Sequence, residues 1–103
     1  MAEERSVAYH RVLALRLRDH PEILETARRR VKNWLAAGAA APVSAVAWAA
    51  VLAGDLSFIE AFLSERSETA RELRQSSPFA GTLHPRERWK IWRETRDQLS
   101  RLP

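Results

Sequence analysis

Along the first stretch of the chain, apolar side chains recur at spacings of three and four. Tyr9, Val12, Leu13 and Leu17 form the stripe and Ala8 fills it, which predicts a helix from about Glu4 to Arg18 with one face turned inward. Asp19-His20-Pro21-Glu22 ends that helix and starts the next, because proline suits the first helical position and a carboxylate suits the positive end of a helix. In the second helix Leu24, Ala27, Val31, Trp34 and Leu35 keep helical period, and Gly38 stands where a left-handed C-terminal cap is wanted. Pro42 opens a third, alanine-rich helix that runs to Gly54. Its residues Val43, Val46, Ala47, Ala50 and Val51 are apolar almost all round, so it is expected at the centre of the domain.

Ser57 and Glu60 have the spacing of a capping box, which predicts a short fourth helix from Phe58 to about Leu63. Ser64 or Ser67 can cap a fifth, through Ala70 and Leu73 to about Gln75. The loop Ser76-Ser77-Pro78-Phe79-Ala80-Gly81 must end it, since Pro78 cannot continue a helix. His84-Pro85-Arg86-Glu87 then opens a terminal helix whose apolar face is Trp89, Trp92 and Leu99, with Leu102 at its margin and Pro103 as its stop. No internal repeat, low-complexity tail or linker breaks the pattern. The expected fold is all-α: a compact single-domain bundle of five or six helices over residues 1–103, with the first, second and sixth as long outer walls around the uncharged third.

Composition narrows the function classes. A chain that is 46% hydrophobic and 29% charged is apolar enough to fold. It has no cysteine, which excludes disulfides, thiolate nucleophiles and thiolate metal sites. Met1-Ala2-Glu3-Glu4-Arg5 lacks the basic and apolar regions of a secretory signal, so a cytoplasmic location is expected. Trp34 to Gly54 is uncharged and long enough to cross a bilayer, but it is alanine-rich and broken by Gly38 and Pro42. It reads as buried interior, and no membrane association is expected. A net charge of +4 favours an acidic partner, nucleic acid or protein, unless it is simply a solvated basic surface.

No catalytic residue, metal site or cofactor is expected. His20 and His84 each precede a proline at a helix start, where their role is structural, and His10 is expected at the surface beside Arg11. None accompanies a zinc-protease, nucleophile-elbow or phosphate-loop motif. A helix-turn-helix aligned on Ala50 and Gly54 would use Ser57-Phe58-Ile59-Glu60-Ala61-Phe62 to read DNA, a segment without the exposed cations or amides that groove reading needs. Two basic clusters remain, and they supply the candidate nucleic-acid contacts: Arg29, Arg30 and Lys32 on the second helix, Arg86 and Lys90 on the last. Their alternative reading is a solvated face balanced by Glu87, Glu94 and Asp97. Of the four tryptophans, Trp34 and Trp48 lie on stripes expected to be buried. Trp89 and Trp92, with Arg88 and Arg93 alongside, are either interface anchors or caps on a small core.

The segments Arg71-Glu72-Leu73-Arg74-Gln75-Ser76-Ser77-Pro78-Phe79-Ala80-Gly81 and Pro85-Arg86-Glu87-Arg88-Trp89 resemble a pattern in small, mostly uncharacterised bacterial helical proteins that look antitoxin-like. Ala27-Arg28-Arg29-Arg30-Val31-Lys32-Asn33-Trp34 is similar to the same group, so the resemblance spans nearly the whole chain. It implies a non-catalytic interaction module that binds and neutralises or regulates a partner protein, such as a toxin encoded alongside, and it carries no catalytic residue. The alternative function is a small helical DNA-binding regulator; the oligomeric state is open. The candidate partner-binding residues are Phe79, Trp89, Trp92 and Arg93. For the loop, two arrangements fit: Phe79 enters a partner pocket while Ser76 and Ser77 offer hydrogen bonds, or Phe79 folds back onto Leu73 and Leu83.

Overall fold

The computed structural model describes residues 2–38 and 42–101. It contains six helices and, among the described residues, no strand: α1 (Ala2–Arg16), α2 (Pro21–Ala36), α3 (Ala45–Leu52), α4 (Leu56–Leu63), α5 (Glu68–Arg74) and α6 (Pro85–Ser100). The all-α bundle expected from periodicity is what the chain forms.

The helix that packs against most others is α4, which meets α1, α3 and α5, so α3 is not the centre. The first helix lies between α4 on one side and α6 on the other, while α3 bridges α2 and α4, and α5 packs on α4. Val7, Leu13 and Ala14 of α1 and Leu17 just beyond its end join Ala27, Val31, Trp48, Ile59, Leu63, Leu73, Phe79 and Leu83 in the buried interior. Helix α3 begins at Ala45 and buries only one face, through Ala45, Trp48, Val51 and Leu52. Its other face, Val46 with Ala47 and Ala50, is open to solvent, and Val46 is 71% exposed. An all-apolar helix gives no periodic signal to say which side is covered, so the expectation of a central helix fails for want of information. Among the described residues no helix is long and apolar enough to cross a membrane.

The helix ends follow local chemistry. Gly38 has φ 61°, the left-handed geometry expected after α2, and Gly81 has φ 77° in the loop before α6. Ser67 caps α5 by accepting from the Ala70 N–H at 3.2 Å. The fourth helix departs from expectation: Asp55, not Ser57, is its cap, accepting from the Phe58 N–H at 2.8 Å. Glu60 forms no capping box there and instead pairs with Arg18 at 3.0 Å.

Buried polar groups pin the distant segments together. The Trp48 indole N–H donates to the Leu73 carbonyl at 2.9 Å, and Tyr9 donates to the Phe79 carbonyl at 2.8 Å. His10, expected at the surface, is buried. Its Nδ1 lies 2.7 Å from the Ser6 carbonyl, which can only accept, so Nδ1 carries the proton; Nε2 then accepts from the Ser77 hydroxyl at 2.8 Å. Ser77 in turn accepts from the Phe79 N–H at 3.1 Å, closing a short turn.

Candidate functional site

Helix α6 starts on His84-Pro85, where the His84 side chain accepts from the Arg86 N–H at 3.1 Å, the structural role expected for it. His20 sits at the start of α2, exposed and beside Glu22 at 3.1 Å. From its capped start α6 runs along α1 with Thr95 buried and Ile91, Trp92 and Leu99 half-buried. The Thr95 hydroxyl is satisfied by the Ile91 carbonyl at 2.8 Å, which lets a polar residue face inward. Trp89 therefore does not share the inward face: it is 57% exposed. Leu102 lies outside the described residues.

Trp89 nevertheless has a fixed place. Its ring stacks on Trp92 with centroids 4.7 Å apart and planes 26° from parallel. The Arg96 guanidinium lies 5.1 Å from the Trp92 ring centre and that of Arg5, from α1, lies 5.8 Å away. The two helices thereby enclose an open cleft of about 500 Å³ whose walls include Arg5, Tyr9, Arg88, Trp89 and Trp92. Exposed Arg93 follows Trp92 on the same helix. Arg96 is paired with Asp97 at 3.6 Å, whereas Arg5, Arg88 and Arg93 make no ion pair among the described residues. The cleft thus presents an aromatic platform flanked by two guanidinium groups, Arg5 and Arg88, that have no ion-pair partner among the described residues.

Three of the four residues expected at a partner surface, Trp89, Trp92 and Arg93, are brought together on α6. Phe79 is not with them. Its ring is 0% exposed, set edge-on to Trp48 with centroids 6.1 Å apart and to His10 with centroids 6.3 Å apart. No partner can touch it while the domain is folded, and the arrangement in which it folds back to join Leu73 and Leu83 in the core is the one adopted. Arg5 and Tyr9, the α1 half of the cleft, were not singled out from sequence, because nothing local links them to a helix some eighty residues on.

The candidate nucleic-acid contacts divide differently. Arg29, Lys32, Arg86 and Lys90 are exposed. Arg30 is not free for phosphate: its guanidinium donates to the Pro78 carbonyl at 3.0 Å and to the Ala80 carbonyl, fastening the loop to α2. Arg28 is likewise used on the Leu52 carbonyl, at 2.9 and 3.1 Å. On α4, the helix that would enter a DNA groove, Ile59, Phe62 and Leu63 are buried and the exposed residues are Ser57, Phe58 and Ala61, with no cation among them. Among the described residues no three His, Asp or Glu side chains converge to hold a metal ion. No family model, curated protein or solved structure matches the chain.

Proposed function

We propose that this chain is a non-catalytic interaction module of the antitoxin-like kind, which docks the cleft between α1 and α6 onto an acidic patch of a partner protein and neutralises or regulates that partner. The observation that carries the reading is Trp89, more than half exposed yet held flat against Trp92. Tryptophan and arginine are the commonest energetic anchors of protein interfaces, and a ring already fixed in place loses little freedom on binding. Arg5 and Arg88 in the cleft wall, with exposed Arg93 further along α6, add charge complementarity to an acidic surface, which raises the association rate and makes it salt-dependent.

A non-catalytic role is supported by the use made of the buried Ser77–His10 pair. Both ring nitrogens of His10 are engaged, Ser77 is tied to the Phe79 amide, and the pair anchors the loop to α1. The test is to mix the protein with the product of the adjacent gene and follow tryptophan emission. A blue shift as Trp89 leaves water, with a dissociation constant that rises with salt, is the expected result; unchanged emission at saturating partner contradicts it.

A second reading, DNA binding, is favoured by the exposed cations Arg29, Lys32, Arg86 and Lys90. With no groove-reading helix such binding is non-specific, and each phosphate neutralised contributes about 0.9 to the slope of log affinity against log salt. Tight, salt-insensitive binding to one operator sequence would contradict this.

A further inference from the structure

Arg74, the last residue of α5, is 5% exposed and only half used. Its Nη1 donates to the Glu65 carbonyl at 2.6 Å and more weakly to that of Leu63 at 3.4 Å. Its Nε and Nη2 are buried and have no partner. Those two N–H groups point the same way along one edge of the guanidinium plane, the edge that matches two oxygens of a phosphate or carboxylate. Leaving a charged donor pair buried and unpaired is among the costlier arrangements in a folded protein.

Arg74 lines a cleft of about 610 Å³ together with Arg71, Glu3, Ser6 and Gln75. The Glu3 carboxylate is the internal anion of this cleft: its Oε1 is in contact with Arg71 Nε, yet it is misaligned and accepts no hydrogen bond. Burial opposes the charge of Arg74, and Glu3 is the carboxylate that does most to offset this. One buried guanidinium edge and one buried carboxylate oxygen therefore share a cleft without satisfying each other.

We propose that this cleft binds a phosphate group, which draws Arg71 away from Glu3, reaches the Nε–Nη2 edge of Arg74 through the opening this makes, and accepts further hydrogen bonds from Ser6 and Gln75. Two guanidinium groups and two neutral donors suit a doubly charged group with three or more free oxygens better than a carboxylate, and the cleft is much larger than a carboxylate requires. Glu3 is the built-in competitor, displaced when phosphate enters.

Inorganic phosphate alone is the probe, titrated into the full chain at constant ionic strength while the Nε–H resonance of Arg74 is followed by NMR. A saturable shift is expected, with acetate giving none. Because Arg74 also holds carbonyls at and just beyond the end of α4, its own replacement can unfold the protein, so Glu3 and Arg71 serve as the informative variants. Glu3→Gln removes the competitor and is expected to tighten binding about threefold, while Arg71→Gln weakens it about tenfold. A shift that never saturates, or that is equal in all three proteins, overturns the proposal. If Glu3 is instead the proper partner of Arg74, Glu3→Gln lowers the thermal midpoint and phosphate does not bind. Saturable binding of acetate as tight as that of phosphate rejects the phosphate assignment in favour of a carboxylate site.

Discussion

Phe79→Ala is expected to lower the thermal midpoint by at least about 15 °C, since removing a buried phenylalanine ring costs roughly 3 to 5 kcal/mol and a domain of this size has little more to lose. The ring fills space between Trp48 and His10, and its own backbone is held at both ends, by Tyr9 at the carbonyl and Ser77 at the amide. Truncating it opens a cavity beside Trp48, the largest fully buried side chain, under a loop fastened on one side by Arg30. Differential scanning calorimetry of the parent and variant decides the matter; a shift below about 5 °C would mean that the loop does not form part of the core.

Acid should destabilise the protein through His10 before its carboxylates respond. Burial is the main cause that lowers the His10 pKa from 6.5 to about 4; the positive charge of Arg74 adds to it, and the hydrogen bond to the Ser6 carbonyl opposes it. The unfolded chain therefore takes up a proton below pH 6.5 that the folded chain refuses. The stability this represents is fully present above pH 6.5 and is lost as pH falls towards 4, by roughly 2 to 3 kcal/mol at pH 4.5. Glu4 and Glu87, whose carboxyls are held below the usual range by hydrogen bonds from Arg66 and Arg16, lose their contribution only below pH 4.5, so the higher window belongs to His10. Urea denaturation at pH 7 and pH 4.5 should show this loss in the parent and much less of it in His10→Gln, whose side chain does not titrate. Equal losses in the two proteins would show that His10 is not buried as a neutral ring.

What the sequence made legible was local. Helix starts at Pro21 and Pro85, the Ser67 cap and the glycine after α2 depend on residues within a turn of one another, and their chemistry leaves few alternatives. The cap of α4 was misread because Asp55 and Ser57 compete two residues apart, and Arg18, from a distant part of the chain, takes the glutamate that would have completed the box at Ser57. Helix α3 and His10 failed for a different reason. Periodicity cannot orient a helix with no polar side, and a histidine next to an arginine gives no sign that its partner is a serine 67 positions away. The candidate site was legible by half: the tryptophans and arginine of α6 stand out within one helix, but the cleft exists only because α1 lies against it and brings Arg5 and Tyr9. Phe79 was placed with them because an aromatic residue in a distinctive loop reads equally as an anchor or as core, and only the tertiary contacts distinguish the two.

The most direct test of the proposed interface is the affinity of Trp89→Ala for the protein encoded by the adjacent gene, measured by titration calorimetry after its thermal midpoint has been checked. Trp89 is exposed and contributes to the fold mainly by stacking on Trp92, so the variant should remain folded with a loss of only about 1 kcal/mol. This folded variant is expected to bind about 30-fold more weakly than the parent, the effect of losing an anchor worth about 2 kcal/mol. A folded Trp89→Ala protein that binds that partner as tightly as the parent does would contradict the proposed interface.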